Sequence, residues 1–395
     1  MPRALIIGGG VAGPAVALFL QRAGWEVTVF EAREEPDDYT GLFLNVATNG
    51  LAVLDTLGLR DRLVSDGHRA PTMMMWSSTG KRLGSVPNGP TGERERGSVI
   101  VKRGWLHEVM RTGATGAGVE IVYGARLTRI EETDDFVRGY FADGRVEEGD
   151  ILIGCDGIGS LTRQYIDADA PAPMYSGLVG LGGFAYVGGL SATPDAQHFI
   201  FGARSFFGYL VRDDGTVYWF ANVTHSEASR EQLENIPWLD RLRDLHADDP
   251  SPVPQILATA TGELGAYPIY DLSGVKHWHH GRVVAVGDAV HATSPSAGQG
   301  ASLALEDAAT LAACLHNPPS YSTAFAEYQR QRQPRAEAVV KYARAINAQK
   351  RVTKSRIGIA IRDALMPLFL RQAAKDTRND WLYNYHVSPL TDPGQ

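Results

Sequence analysis

The feature that most constrains the fold of this 395-residue chain is a glycine-rich turn close to its N-terminus, Gly8-Gly9-Gly10-Val11-Ala12-Gly13. The turn follows a short apolar strand pattern and opens a helical pattern. In such a unit Gly8 permits the tight turn, Gly10 lets a pyrophosphate approach the backbone, and Gly13 lets helix and strand pack closely. Glu31, at the end of the next predicted strand, would accept hydrogen bonds from a ribose. These residues predict a Rossmann-like βαβ unit that binds a dinucleotide, without deciding between FAD and NAD.

Two later segments each follow a predicted buried strand and carry an aspartate beside a glycine. The first runs Gly154-Cys155-Asp156-Gly157-Ile158-Gly159-Ser160-Leu161-Thr162-Arg163, and the second runs Gly287-Asp288-Ala289-Val290-His291 and continues through Pro295 to Gly298-Gln299-Gly300. A carboxylate at the carboxyl end of a strand can accept hydrogen bonds from sugar hydroxyls, which suits Asp288. Residues 298–301 begin a predicted helix, whose amides and positive end would stabilise negative charge on a bound group.

In this order and at these separations, the three segments resemble the single-component (group A) flavoprotein monooxygenases with a p-hydroxybenzoate-hydroxylase-like fold. FAD-dependent urate hydroxylase and the tetracycline-inactivating monooxygenases belong to that group. The resemblance covers essentially the whole chain and implies FAD as the cofactor, with NADPH or NADH and O2 as co-substrates. The positions that it assigns to FAD are Gly8, Gly10, Val11, Ala12, Gly13, Glu31, Arg33, Arg103, Leu127, Asp156, Asp288, Pro295, Gly298, Gly300 and Ala301. For Arg33 and Arg103 a solvated surface role stays open.

The resemblance also implies the reaction. FAD reduced by NAD(P)H would react with dioxygen to a flavin C4a-hydroperoxide, which transfers one oxygen atom to an aromatic, enolic or polycyclic, polyketide-like small molecule. Two other outcomes stay open here: Baeyer–Villiger oxidation of a ketone, and a reductase or oxidase reaction without oxygen insertion. A flavin-binding protein without redox activity is disfavoured, because all three cofactor segments are intact.

Aromatic residues two apart recur between residues 178 and 270, and side chains at this spacing lie on one face of a strand. The predicted substrate-pocket residues are Phe184, Tyr186, Phe201 and Phe220. A cation or a phenol that favours the oxyanion of a substrate would help oxygen transfer. The catalytic candidates are Arg204, which the resemblance places near the substrate-binding arginine of urate hydroxylase, Tyr209 and Tyr218. A structural or surface role stays open for each of these three.

The predicted fold class is α/β, with a Rossmann-like FAD-binding domain interleaved with a mostly antiparallel β-sheet substrate domain. The FAD-binding domain is assigned residues 1–72, 98–177 and 271–334, and the substrate domain residues 73–97 and 178–270. Residues 335–395 are predicted to form a C-terminal helical segment. Between residues 80 and 97 the chain is rich in glycine, proline and charge, which predicts a surface loop in a hairpin before residues 99–101.

Composition restricts the possible partners. The net charge is −7 and basic residues are scattered, so no nucleic-acid partner is expected. No apolar run is long enough to span a bilayer and the start leaves no room for a signal peptide, so we expect no membrane partner and a cytoplasmic location. Cys155 and Cys314 form neither a disulfide framework nor a redox motif, and His277, His279 and His280 lack metal-ligand spacing, so no metal is expected. Oligomeric state and the role of the C-terminal helices stay open.

Overall fold

A computed structural model describes residues 1–36, 42–260, 264–350 and 356–387. Its strands are β1 (Arg3–Ile7), β2 (Glu26–Phe30), β3 (Phe43–Val46), β4 (His68–Arg69), β5 (Thr72–Ser77), β6 (Arg82–Pro87), β7 (Val99–Lys102), β8 (Glu120–Val122), β9 (Leu127–Glu132), β10 (Val137–Phe141), β11 (Val146–Gly149), β12 (Ile151–Gly154), β13 (Met174–Tyr186), β14 (Ala196–Phe201), β15 (Phe206–Val211), β16 (Thr216–Thr224), β17 (Tyr267–Asp271), β18 (His279–His280) and β19 (Val283–Ala285). Its helices are α1 (Ala12–Arg22), α2 (Thr48–Thr56), α3 (Arg60–Val64), α4 (Arg103–Gly116), α5 (Leu161–Ile166), α6 (Arg230–Glu234), α7 (Trp238–Leu245), α8 (Val253–Thr259), α9 (Asp288–His291), α10 (Gly300–Cys314), α11 (Tyr321–Lys350) and α12 (Arg356–Ala373).

The first large sheet has six strands in the order β18-β19-β12-β1-β2-β8. All its pairs are parallel except β18 with β19, and β12 and β19 are buried along their whole length. Strands of a parallel sheet are covered on both faces, which explains their continuous apolar sequences. Ile7 pairs with Gly154, which pairs in turn with Ala285. The three cofactor segments predicted from the sequence therefore begin side by side, at the carboxyl ends of three adjacent strands.

The second large sheet has seven strands in the order β17-β13-β16-β15-β14-β5-β6. Its pairs are antiparallel except β14 with β5. Helices α6, α7 and α8 cover one face through apolar side chains that join the core around Phe207 and Trp219. Helix α12 packs along the edge strand β6.

The predicted surface loop at residues 80–97 is partly wrong, because Arg82–Pro87 is the edge strand β6. An edge strand pairs on one side only, so glycine and a terminal proline are tolerated in it. Outside this strand, residues 94–96 form a short 3-10 turn.

A three-stranded sheet, β3-β7-β4, lies against the seven-stranded sheet, since Ala70 and Ile100 form a buried cluster with Leu210 and Tyr218. A further sheet, β11-β10-β9, extends beside β1. The predicted fold class is confirmed: a parallel nucleotide-binding sheet, a mostly antiparallel second sheet and C-terminal helices. The predicted division into domains stays a prediction. Within the described residues, every helix is too short or too polar to cross a bilayer.

Candidate functional site

The glycine turn after β1 leaves an open space where the sequence predicts a pyrophosphate. Gly8 has a φ of +108°, which L-residues with a side chain rarely adopt, and a Cβ on Gly13 would lie 1.9 Å from the Gly8 carbonyl oxygen. A Cβ on Gly10 would have no protein atom within 4 Å. Gly8 and Gly13 are thus required by the fold itself, whereas Gly10 faces space that the protein leaves free.

Glu31 follows β2 and shapes this turn. Its carboxylate accepts one hydrogen bond from the Gly9 amide at 2.6 Å and another from the Arg33 amide at 2.9 Å. Each carboxylate oxygen retains a further lone pair, so Glu31 can still accept from a ribose hydroxyl. Arg33 is exposed at the same edge of the sheet.

Asp156 organises the turn after β12. Its carboxylate accepts hydrogen bonds from the Ser160 hydroxyl at 2.5 Å and from the Thr162 amide and hydroxyl at 3.0 Å each. Arg163, in the helix that follows, donates to the Ala289 carbonyl oxygen at 2.7 Å. The hydrogen bond of Arg163 therefore joins the second cofactor segment to the third. The contacts of Asp156 all lie within its own turn, so its role in this structure is to stabilise that turn.

Asp288 is exposed at the start of α9, in the area where the three cofactor segments meet, which we call the recess. It keeps accessible surface, yet protein surrounds it closely enough that desolvation raises the pKa of its carboxyl group, partly offset by the positive charges of His291 and Arg103. Arg103 begins α4 and is exposed. An accessible acid and an accessible cation facing one recess can hold the hydroxyl and phosphate groups of a dinucleotide.

The loop before α10 is fixed to β3. Gly298 adopts the left-handed conformation with a φ of +61°, and its carbonyl oxygen accepts a hydrogen bond from the Asn45 side chain at 3.1 Å. Pro295 is exposed, and Gly300 and Ala301 are half-buried at the start of the helix. Because α10 has no acidic residue in its first turn, no side chain of that turn offsets its positive end.

A buried network of charges lies behind this loop. Arg332 contacts Asp307 at 2.6 Å and Glu306 at 2.7 Å, and Arg335 contacts Glu306 at 2.7 Å. The Asn49 side chain donates to Glu306 at 2.6 Å and lies 2.9 Å from the Gln299 side-chain oxygen. The network therefore ties the loop at Gln299 to helix α11.

His291 and Asp307 form the part of this network nearest to Asp288, with their side chains 2.5 Å apart. Burial alone would lower the pKa of His291, but the charge and hydrogen bond of Asp307 outweigh it and raise that pKa. Burial alone would raise the pKa of Asp307, but His291 and Arg332 bring it to about 2. We therefore assign an ion pair to these two residues.

Sequence reasoning missed most of this network. Asn45, Asn49 and Gln299 carry no sequence signal, because their importance comes from contacts across more than 240 positions of the chain. Two adjacent acids inside an otherwise apolar helix, Glu306 and Asp307, were a usable signal, since acids are almost never fully buried unless paired.

The seven-stranded sheet presents an aromatic face next to the loop before α10. Phe220 contacts Phe43, Phe199 and Phe206 with ring centroids 5.9 to 6.0 Å apart. Phe201 packs on Phe206 at 5.4 Å. Of the predicted pocket residues, Phe184, Phe201 and Phe220 lie on this face and are half-buried, whereas Tyr186 is 66% exposed at the end of β13.

The structure does not bring the three catalytic candidates to an accessible part of this face. Tyr209 alternates with Gly208 and so points to the opposite face, where its hydroxyl lies 3.1 Å from the His198 ring and burial raises its pKa to about 12. Arg204 lies in the exposed hairpin after β14 and pairs with Asp244 at 3.3 Å. In this structure strand alternation and a surface ion pair direct both side chains away from this face, and a catalytic role for either residue stays a prediction.

Tyr218 is on the expected face but is only 1% exposed. Phe43 and Phe184 cover its ring at centroid distances of 5.3 and 4.8 Å, and its hydroxyl accepts a hydrogen bond from Arg212 at 3.1 Å. Tyr218 thus lies beneath the rings of Phe43 and Phe184, where it packs against them and is not accessible to a substrate. Leu127 is similarly buried, at the start of β9 beside Gly139, so a role for it in cofactor binding stays a prediction.

The recess and its neighbours define a class of protein: a flavoprotein in which a dinucleotide site on a parallel sheet adjoins an aromatic sheet. Residues 2–343 match the family model described as "FAD binding domain", and the chain belongs to that family. It is similar to 6-hydroxynicotinate 3-monooxygenase from Bordetella bronchiseptica, with 30% identity over 358 residues that cover 86% of this chain and 89% of the relative.

Two further comparisons agree with this assignment. The chain is 29% identical over 340 residues to an aurachin C monooxygenase/isomerase from Stigmatella aurantiaca, with 85% of this chain and 86% of the relative covered. A crystal structure of a Klebsiella pneumoniae HpxO variant complexed with FAD superposes with a TM-score of 0.81 at 25% identity and covers 97% of both chains. The protein is therefore an FAD-dependent monooxygenase of this family.

Proposed function

We propose that this chain uses NADPH or NADH and O2 to insert one oxygen atom into a neutral aromatic, enolic or polycyclic small molecule. The observation that carries the proposal is the position of β3. Its residue Asn45 holds the Gly298 carbonyl at 3.1 Å, and Phe43, two positions earlier on the same face of the strand, contacts Phe220. The cofactor loop and the aromatic face are therefore neighbours.

The cofactor site that we propose uses residues at the edge of the parallel sheet. Gly10 provides space for the pyrophosphate, Glu31 accepts from the adenosine ribose, and Asp288 accepts from the ribityl chain. Arg103 and the helix end at Gly300 supply positive charge. When bound, FAD supplies the redox chemistry and the oxygen-transferring group. The positive end of α10, which no acidic residue of its first turn offsets, would stabilise negative charge on the bound cofactor.

The substrate class follows from the charges near the aromatic face. Strands β13, β14, β15 and β16 contain no Asp, Glu, Lys or Arg. These strands offer no partner to a buried anionic substrate, and the cations beside them already lie over aromatic rings, Lys102 over Phe184 at 5.6 Å and Arg362 over Phe201 at 5.7 Å. Burying an unpaired charge costs several kcal/mol, which disfavours an anionic substrate. Flat, neutral ring systems instead gain from contact with Phe199, Phe201 and Phe220, because aromatic pairs contribute about 0.5–1.5 kcal/mol beyond their buried area.

The test is a substrate panel measured by NAD(P)H consumption and by product mass under isotopically labelled dioxygen. We expect neutral polycyclic phenols and enols to accelerate NAD(P)H oxidation and to gain one labelled oxygen atom, whereas hydroxybenzoates do neither. Acceleration by the carboxylates alone contradicts the substrate class. A product that gains or loses only hydrogen contradicts oxygen insertion, and an ester or lactone product identifies Baeyer–Villiger oxidation.

A pair of variants locates the substrate. Phe220→Leu should raise KM for the accepted substrate and leave the flavin content unchanged, because its ring lies on the pocket face. Tyr209→Phe is the matched control, since it changes an aromatic residue of the neighbouring strand on the opposite face. Equal effects of the two substitutions on KM would contradict this location.

A further inference from the structure

Helix α12 carries an exposed apolar stripe. Among the described residues, eleven large hydrophobic side chains are exposed, and five of them lie on this helix: Ile357, Ile361, Leu365, Leu368 and Phe369. With about 100° of rotation per residue, these five fall within about one third of the helix circumference. Monomeric soluble proteins rarely leave such a continuous patch uncovered unless it binds something.

The opposite side of α12 is already packed. Leu370, on that side, lies on Gly84 of β6. Arg362, at the border between the two sides, donates to the Phe201 carbonyl oxygen at 3.1 Å and pairs with Asp363 at 2.9 Å. The helix is therefore fixed to the edge of the seven-stranded sheet by one face, and the apolar stripe points outward. The stripe is not needed to hold α12 in place.

The surroundings of the stripe are basic. The sequence of α12, Arg356–Ala373, contains three basic residues and one acidic residue, although the whole chain has a net charge of −7. Arg371 and Lys375 are exposed beyond the C-terminal end of the stripe, and Lys81 and Arg82 are exposed on the neighbouring strand turn. The acidic residue of the segment, Asp363, is paired with Arg362.

We propose that the α12 stripe adsorbs to the surface of an anionic lipid membrane, with the helix lying in the plane of the interface. Apolar side chains flanked by Lys and Arg are the pattern of an interfacial helix, whose binding combines buried apolar area with attraction to anionic lipids. This departs from our expectation of no membrane partner, which rested on the absence of a spanning segment. An interfacial helix does not span the bilayer, so the helix lengths do not oppose it.

Two other groups could cover the stripe, a second copy of α12 or the chain's own C-terminal residues, and both fit it less well than a lipid surface. Pairing of α12 with its copy would bring Arg371 and Lys375 of each copy against a helix whose acidic residue, Asp363, is already paired with Arg362. The chain's own residues 388–395 contain one large apolar residue, Leu390, which is too little to cover five side chains. An anionic membrane would bury the apolar side chains of the stripe and would attract the basic residues beside it.

The experiment is co-sedimentation of the full-length, flavin-loaded protein with vesicles of phosphatidylglycerol and phosphatidylcholine, and with vesicles of phosphatidylcholine alone. We expect binding to the anionic vesicles that weakens with added salt, and a loss of at least about tenfold in partition coefficient for Leu365→Ser/Phe369→Ser. Val146→Ser, which changes an exposed residue on another sheet, is the matched control and should bind like the wild type.

Three results would overturn the inference. These are no binding to anionic vesicles, equal binding to both vesicle types, or a dimer in solution, measured by light scattering, that Leu365→Ser/Phe369→Ser converts to a monomer. Flavin absorbance of each variant verifies that it is folded. Since the stripe lies outside the cofactor recess, loss of vesicle binding with retained flavin is distinct from any failure of the proposed activity.

Discussion

Two substitutions in the glycine turn, each of which adds one methyl group, distinguish the role of the turn in folding from its role in FAD binding. In Gly13→Ala the new Cβ would meet the Gly8 carbonyl oxygen at 1.9 Å and its carbon at 3.1 Å, so backbone must move. In Gly10→Ala the new methyl meets no protein atom within 4 Å, and the backbone of Gly10 is not in the left-handed region. The first substitution should damage the apoprotein, and the second should damage only FAD binding.

The magnitudes follow from these distances. We expect Gly13→Ala to lower the free energy of unfolding by about 3 kcal/mol, as overpacking against fixed backbone does. Gly10→Ala should leave it unchanged or raise it by about 0.5 kcal/mol, through the lower entropy of the unfolded chain. Its methyl group occupies the approach of the pyrophosphate, which should cost about 2 kcal/mol of binding, or about thirtyfold in the Kd of FAD.

The assays are urea unfolding of the apoproteins and titration with FAD followed by flavin fluorescence. Gly116→Ala is the control, because it adds a methyl to an exposed helix end with no atom within 4 Å and far along α4 from the recess. Wild-type FAD affinity in Gly10→Ala would refute the assignment of this space to the cofactor. If the Gly10→Ala apoprotein were as unstable as the Gly13→Ala apoprotein, the conclusion that the fold requires Gly13 but not Gly10 would be refuted.

Three further predictions concern the aromatic face, the hairpin and the buried ion pair. Gly208→Ala places a methyl 2.2 Å from the Phe220 ring, so the ring must swing toward the pocket and KM should rise about tenfold while the Kd of FAD stays unchanged. Arg204→Gln should change the free energy of unfolding by less than about 0.5 kcal/mol and leave KM unchanged, because its ion pair is exposed. His291→Gln breaks the buried pair with Asp307 and should cost about 3 kcal/mol below pH 6.5, measured by urea unfolding.

The pH dependence of the last variant has a defined sign. Because the pKa of His291 is raised in the folded protein, its contribution to stability is complete below its ordinary pKa of 6.5 and is lost as pH rises through the raised value. The stability difference between wild type and His291→Gln should therefore shrink in alkaline buffer. A difference that grows with pH would contradict a protonated His291. For the other two variants, a normal KM in Gly208→Ala or a raised KM in Arg204→Gln would contradict the placement of the substrate.

Local sequence patterns predicted the elements that carry the cofactor, and misjudged parts of the second sheet. The apolar strands and glycine turns of the six-stranded sheet follow from short-range rules, since each turn needs its glycine at a fixed position. Strand β6 was predicted as loop because an edge strand tolerates glycine and proline. Helices α6, α7 and α8 were not predicted, because each spans only five to eight residues and prolines precede two of them. Packing on the core around Trp219 stabilises these short helices.

The sequence by itself determined the parallel nucleotide-binding sheet, the order of the three cofactor segments and the resemblance to flavoprotein monooxygenases, because these depend on short motifs and on their order along the chain. Only the tertiary structure decided which side chains share a face. Strand alternation separates Tyr209 from Phe220, ring packing buries Tyr218, and a surface ion pair holds Arg204. The contacts of Asn45 with Gly298 and of Asn49 with Gln299 and Glu306 likewise join residues more than 240 positions apart, which no local pattern records.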